Sequence, residues 1–512
     1  MDQRQLVTAL RNPLVYGHDV HEVTLVETHI SYVLLTGRHA YKIKKAVDFG
    51  FLNFTTLSAR RFYCEEELRL NRRLAPDIYL GVVRITGSVE APAIDGDGPV
   101  LEYAVKMRQF DQEGLLSRVI ARGALTPSAI DALAAEVASF HRRTAGAGAD
   151  APFGRPDDIL QPAVQNFEQM LAVVDDARDR SDLQALLEWT RQEHRRLAPV
   201  FLTRRRDGFV RECHGDLHLG NIALIEGAMT LFDCIEFNES MRWTDVMSDI
   251  AFLVMDLGDR NRPDLAARFL TAYLEITGDY EGLGVLRFYV AYRALVRAKV
   301  ACLRLGQAGS GEERDRSLAE YHTYVNLALR ETGPHQPAIA ITHGVTGSGK
   351  TTSSQAFVES VGAVRVRSDV ERKRLHGLGA GERSGSAVGE GLYAADATRQ
   401  TYARLSMLAR TIAAAGYVAI VDAAFLKRWQ RDLLRNVATD LKVPFVILDC
   451  SAPAAVLRER VARRLQQGRD ASDATLDVLE QQLSTADPLA EEETSETLRT
   501  VTASSIAQSP PR

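Results

Sequence analysis

The stretch "HGDLHLGN" (214–221) sets a histidine, an aspartate and an asparagine within eight residues, and "LFDCIEF" (231–237) adds a second aspartate twelve positions after the asparagine. Transfer of a phosphoryl group to an alcohol asks for groups of this kind. The acceptor hydroxyl must be oriented and its proton taken up. The triphosphate needs a bridging cation and a lysine, because charge stabilisation carries most of the catalysis. Asp216 is placed to accept the hydroxyl proton, and Asn221 and Asp233 offer the hard oxygens that Mg²⁺ prefers.

A second constellation lies further along. "GVTGSGKTT" comprises Gly344, Val345, Thr346, Gly347, Ser348, Gly349, Lys350, Thr351 and Thr352, and fits G-x4-G-K-[ST]. Glycines let backbone N–H groups close around phosphate oxygens, the lysine reaches the β/γ-phosphates, and the threonine hydroxyl binds Mg²⁺, so Thr351 is a predicted metal ligand. After the next apolar run, "RVRSDVERKRL" puts Asp369 and Arg372 at a strand's carboxyl end, where ligands lie in open α/β sheets. Asp369 is the candidate base there and Arg372 a candidate acceptor contact. Asp422, at the end of the strand in "AIVDAAF", is expected to order the acceptor or Mg²⁺. "VLRERVARRLQQGRDASDA" supplies Arg460, Arg463, Arg464 and Arg469; Arg464, on one helical face with Arg460, is the predicted lid contact to nucleotide.

These groups need elements to hold them. "VTLVET", "SYVLLTG" and "HAYKIKKAV" read as strands, "TLSARRFYCEEELRLNRRLA" as a helix, and "LGVVRITGSV" and "PVLEYAVKMRQF" as further strands. A helical pattern runs from about 128 to 206, short β segments surround "HGDLHLGN", and helices resume from about 244 to 332. "ETGPHQP" reads as a linker. Beyond it strands and helices alternate, which predicts a parallel, doubly wound sheet with a last strand in "TLRTVTA". The expected domains are 1–332 (lobes at about 20–112 and 113–332), a linker at 333–337, 338–505, and a disordered tail at 506–512. The "EEE" run at 491–493 reads as solvated surface.

The chain has 512 residues, 46% hydrophobic and 25% charged, with a net charge of −5. Ordinary globular domains have this balance, and a mildly acidic chain gives no global reason for nucleic-acid or membrane binding. The five cysteines stand singly, without metal-site spacing, which fits the reducing cytoplasm. No basic-then-apolar leader and no long uncharged apolar run is present, so neither a signal peptide nor a membrane helix is expected.

"HGDLHLGN…LFDCIEF", followed by "WTDVMSDIA", resembles the catalytic loop and metal-binding aspartate of the aminoglycoside phosphotransferase-like kinases, which share the protein-kinase fold. The resemblance spans about 20–330. It implies Asp216 as base, Asn221 and Asp233 as Mg²⁺ ligands, and His214 as a support of the loop. It also implies a strand lysine on the ATP phosphates, paired with a helix glutamate. Lys42 fits the Ala-x-Lys pattern, with Lys44 as the other candidate; Glu67 is favoured over Glu66 as its partner. A glycine-rich G-x-G-x-x-G between the first strands is absent, "ETHISYV" standing there. Residues 336–505 resemble P-loop small-molecule and polynucleotide kinases through the P-loop, the D-x-x-R and the lid arginine. The combination resembles bacterial bifunctional aminoglycoside phosphotransferase/ATP-binding proteins. The fold class expected is thus an α+β bilobal kinase-like domain followed by an α/β P-loop domain, using ATP and Mg²⁺ on small-molecule hydroxyls. Two other readings stand beside it: a C-terminal polynucleotide 5′-hydroxyl kinase, for which "VRVRSDVERKRLHG" without interleaved aromatics is thin support, and a nucleotide-binding regulatory half without transfer activity.

Overall fold

The computed structural model describes residues 2–50, 52–148, 150–307, 311–379, 394–467 and 475–500. The chain forms two compact units, one of residues 1–129, 139–256 and 292–325, the other of 130–138, 257–291 and 326–512. The second unit therefore takes in helical residues that precede the linker sequence.

In the first unit, alternating apolar strands build a six-stranded antiparallel sheet in the order β1 (Thr24–Glu27), β2 (Ser31–Leu35), β3 (His39–Lys44), β6 (Val100–Arg108), β4 (Tyr79–Gly87) and β5 (Pro92–Ile94). The short α1 (Gln3–Ala9), which the sequence reading did not foresee, lays Leu6 and Val7 into a core with Tyr41, Ile43 and Ile85. The opposite face carries α2 (Leu57–Asn71). Thr56 caps that helix by accepting the Ala59 N–H, and Cys64 packs with Ile78, Tyr79 and Val105. Next come α3 (Leu116–Ala121), α4 (Pro127–Arg143), α5 (Pro156–Leu171) and α6 (Ala177–Arg206). The chain then passes through β7 (Val210–Glu212), the hairpin β8 (Ile222–Ile225) and β9 (Ala228–Leu231), α7 (Glu239–Arg242) and β10 (Trp243–Asp245). The helices α8 (Val246–Asp259), α9 (Pro263–Thr277), α10 (Leu283–Gln307) and α11 (Glu312–Thr332) follow.

The second unit holds a parallel sheet in the order β12 (Val364–Arg367), β13 (Ala419–Asp422), β11 (Ile339–His343), β14 (Phe445–Cys450) and β15 (Thr497–Thr500). Around it lie α12 (Lys350–Val361), α13 (Ser368–Leu375), α14 (Ala395–Ala414), α15 (Arg428–Leu441), α16 (Ala454–Gln467) and α17 (Leu476–Thr485). Strands alternating with helices give the buried parallel strands expected of such sequences, and "TLRT" supplies β15. α9 belongs to this unit. Ala267 enters a core with Ala340, Val358 and Ile420, Arg268 pairs with Glu359 at 2.6 Å, and Glu275 pairs with Arg365 at 2.8 Å. The "EEE" run departs from the expected solvated surface. Glu493 is buried and accepts from Arg431 (2.8 Å) and Arg435 (2.9 Å), a pairing with an arginine 62 positions away that no local pattern announces. The tail at 506–512 lies outside the described residues. Among those residues no helix is long and apolar enough to cross a membrane.

Candidate active sites

Alternation along β3 turns Ala40, Lys42 and Lys44 to one face. Lys42 Nζ lies 2.9 Å from Glu67 Oε1 on α2 and 2.5 Å from Asp233 Oδ1. Lys44, with no exposed side-chain surface, reaches the other Glu67 oxygen at 2.7 Å and also pairs with Glu236. The two lysines left open by the sequence thus share one glutamate, and the structure sets Lys42 against Asp233 while Lys44 enters a buried brace. Glu66 turns instead to Arg69 at 2.9 Å. Burial alone would raise the Glu67 carboxyl, but the two ammonium groups hold it down to about 2. Burial would likewise lower Lys42, yet Asp233 and Glu67 keep it well above its ordinary value.

The loop carrying Asp216 is fixed from below. Gly215 has φ +84°, and a Cβ there would meet Met241 O at 3.0 Å, so the position needs glycine. Asp249 accepts from the backbone N–H groups of His214 (3.1 Å) and Gly215 (2.8 Å) and from His141 Nε2 (3.0 Å); Arg293 donates to Gly215 O at 3.0 Å. His214 accepts the Asp216 N–H at Nδ1 and donates from Nε2 to Phe232 O at 2.9 Å, so it braces the loop. Asp216 Oδ2 accepts from Asn221 Nδ2 at 3.0 Å and lies 3.4 Å from His218 Nε2. Burial would raise the Asp216 carboxyl, but His218 beside it, and after it Arg293, hold it well below the usual carboxylate range. It is therefore ionised at neutral pH.

The β8–β9 hairpin brings the remaining oxygens alongside. Ile222 pairs with Leu231, and the Phe232 N–H donates to Asn221 O at 3.0 Å, which sets Asp233 beside Asn221. Asp233 takes a left-handed φ of +66°, a conformation aspartate tolerates, and its N–H donates to Tyr79 Oη at 3.1 Å. Asn71 ties this segment to α2, accepting the Cys234 N–H (2.8 Å) and donating to Glu67 O (2.9 Å). Because Asn221 commits its Nδ2 to Asp216, its Oδ1 is the atom left to offer. Together with the Asp233 carboxylate it makes a hard-oxygen donor pair that suits Mg²⁺.

In the second unit the chain leaves β11, makes the loop 344–349 and enters α12 with Gly349 as its N-cap. Gly344 (φ +140°) lies so close to β14 that a Cβ would sit 2.3 Å from Cys450 O and 2.7 Å from Ser348 Oγ. Gly347 (φ +81°) and Gly349 (φ +94°) also lie in the left-handed region. This leaves the loop's backbone shaped as a cradle that side chains would fill, which fits a phosphate group. Lys350 Nζ donates to Val345 O at 2.8 Å across the loop, the Thr346 N–H donates to Gln482 Oε1 at 2.7 Å, and Thr351 and Thr352 are exposed in the first turn of α12. Asp422, at the end of β13 and beside β11, accepts from Ser354 of α12 at 3.1 Å. Asp369 and Arg372 form an ion pair at 3.1 Å just beyond β12, whose Arg367 stands in register with Asp422. Arg365, Arg372 and Arg374 of the basic stretch are each paired with a carboxylate, those of Glu275, Asp369 and Glu371. Arg460 donates to Gly347 O at 3.3 Å, whereas the Arg464 side chain and Arg469 lie outside the described part of the structure.

A six-stranded antiparallel lobe with a buried Lys–Glu pair, followed by helices and a carboxylate-bearing loop, defines a protein-kinase-like domain; the parallel sheet with its glycine loop defines a P-loop domain. Comparison with known proteins agrees. Residues 64–289 match the model of the phosphotransferase enzyme family (APH), and residues 339–489 match an AAA domain model (AAA_33), so the chain carries an aminoglycoside phosphotransferase-like domain and a P-loop kinase domain. The uncharacterized proteins Rv2004c of Mycobacterium tuberculosis and Mb2027c of Mycobacterium bovis are each 29% identical over 460 residues, covering 89% of this chain and 90% of theirs. Among solved structures, a Plasmodium vivax ethanolamine kinase is 12% identical with a TM-score of 0.39, covering 62% of this chain and 86% of its own. A gluconokinase from Sinorhizobium meliloti is 22% identical with a TM-score of 0.24, covering 34% and 89%.

Sequence reasoning missed Lys44 and Glu236 as a buried pair, Asn71 as the tie between α2 and Asp233, and Gln482. Lys44 stood on the face of Lys42, and Asn71 one helical turn after Glu67, so both left a periodic trace. Gln482 left none, since its contact is 136 positions away.

Proposed function

We propose that the chain is an ATP- and Mg²⁺-dependent phosphotransferase with two nucleotide sites, each transferring a phosphoryl group to a hydroxyl of a small molecule. The observation that carries this reading is the convergence of Lys42, Glu67, Asp216, Asn221 and Asp233 from four separate segments. At the first site, Asp216 accepts the proton of the acceptor hydroxyl, its carboxylate kept ionised by His218 and its loop held by Asp249. Lys42, oriented by Glu67, binds ATP phosphate oxygens, and Asn221 and Asp233 hold Mg²⁺. The bound cation neutralises charge that builds on the phosphates. At the second site, the backbone of 344–351 and Lys350 hold the phosphates, Thr351 holds Mg²⁺, Asp369 takes the acceptor proton, and Arg372 and Asp422 position the acceptor. The internal pairing of Arg365, Arg372 and Arg374 favours a small acceptor over a polynucleotide end. The helical region 128–206 mixes "DDARDRSDLQ" with "RQEHRRLAP" and offers a polycationic aminoglycoside no sustained acidic stretch, so a housekeeping or stress substrate stands at least level with it.

The test is ATP consumption against sugars, aminoglycosides, nucleosides and 5′-hydroxyl oligonucleotides, run with Asp216→Ala and Lys350→Ala. Each substitution is expected to remove a different activity. Turnover unchanged in both variants, with nucleotide still bound, would establish a binding module instead.

A further inference from the structure

The phosphate loop of the second unit is covered by two helices. Leu457 and Val461 of α16 and Leu479 of α17 form a buried cluster against which Val345 packs, and a Cβ on Gly347 would meet Leu457 O at 3.1 Å. The cover also meets the loop through polar contacts: Arg460 of α16 donates to Gly347 O at 3.3 Å, and another comes from a side chain with two different ends. Gln482 of α17 accepts the Thr346 backbone N–H at 2.7 Å. A backbone N–H only donates, so the atom facing it is the amide oxygen, and the NH₂ is the end left to donate. That donor is held at the same loop whose N–H groups are built for phosphate oxygens.

Resting on the P-loop reading above, we infer that Gln482 is a positioning residue for the nucleotide's terminal phosphate: Oε1 holds the Thr346 N–H while Nε2 donates to a terminal phosphate oxygen. One amide then serves as both brace and ligand, and the second site favours a triphosphate over a diphosphate partly through α17, an element outside the P-loop motif.

Glutamate and methionine at this position separate the two roles. Gln482→Glu keeps the length and the oxygen that holds Thr346, but replaces the donor with a negative oxygen facing phosphate. Gln482→Met keeps the length and removes both polar ends. Calorimetric titration of the full chain with ATP and with ADP reads the effect, and Lys350→Ala gives the baseline of the other nucleotide site. Loss of a hydrogen bond to a charged group predicts ATP affinity at the P-loop lower by about tenfold or more in Gln482→Glu, by less in Gln482→Met, and ADP affinity changed by about threefold or less in both. Wild-type ATP affinity in Gln482→Glu, a larger loss in Gln482→Met, or equal losses for ATP and ADP would each overturn the inference and leave a brace alone. Should Gln482→Met melt early, Gln482→Glu decides by itself, because it preserves the brace. If Lys350→Ala removes no binding component, the P-loop reading itself fails; if it does and Gln482→Glu binds ATP normally, only the role of Gln482 fails.

Discussion

At the first site ionic groups meet across the chain: Lys42 and Asp233 are 191 positions apart, Lys44 and Glu236 are 192 apart, and Arg69, Arg73 and Arg242 converge on Glu212. At the second, six consecutive residues make the cradle, and its critical property is the absence of side chains at Gly344, Gly347 and Gly349. One site is written in charges that tertiary contacts assemble, the other in backbone conformation that the local sequence fixes. The first should be vulnerable to removing a charge and to acid, the second to adding a methyl group.

The largest expected effect lies at Asp216, the proposed proton acceptor. Asp216→Asn keeps the shape but removes the basic oxygen, so phosphorylation by the first site should fall by about 10²–10⁴-fold while nucleotide binding at the P-loop is unchanged. A parallel loss at the second site in single-turnover assays would break the division between them. Next comes the buried brace. Lys44→Met leaves Glu67 and Glu236 without their shared cation, and the cost of an uncompensated buried charge predicts about 3–5 kcal/mol less stability in denaturant unfolding.

The same network sets a pH dependence. Glu67 is depressed in the folded state, so its contribution is fully present above its ordinary value of 4.5 and is lost as pH falls toward about 2. Unfolding free energy followed from pH 6 to 2 should drop through that window, and Glu67→Gln should flatten the drop. At the second site, Gly344→Ala forces a Cβ against the Cys450 carbonyl; P-loop nucleotide affinity should fall at least about tenfold in calorimetry, with the first site untouched. The smallest effect on the reaction itself concerns Asn71→Ala, which strips the tie between Glu67 O and the Cys234 N–H; about 1–3 kcal/mol of stability should be lost, with a raised KM for ATP at the first site.

The pattern of the chain made much of this legible. Alternating apolar residues marked β1 to β4 and β6, though not the short β5 in the turn-rich stretch between β4 and β6; the βα alternation marked the parallel sheet, and "GVTGSGKTT" marked the loop because its motif and its geometry are the same local object. The kinase-like site was legible as a set of residues in order, without the pairing among them. Glu67 and Glu66 are adjacent in sequence, yet one is buried between two lysines and the other faces Arg69. The helix direction of α2 against β3 makes that choice, and neither segment alone contains it. The burial of Glu493 under Arg431 was illegible for the same reason.

What the sequence determined by itself is local: which segments are strands and helices, where glycine must sit for the backbone to turn left-handed, and which carboxylates, amides and cations are available. What only the tertiary structure decided is partnership. It gave Lys42 to Asp233, Lys44 to Glu236, the Asp249 carboxylate to the His214–Gly215 backbone and the Thr346 N–H to Gln482. The physical reason is range. Backbone preference and hydrophobic period act within a few residues, whereas an ion pair or hydrogen bond is set by which elements the core brings within about 3 Å of one another.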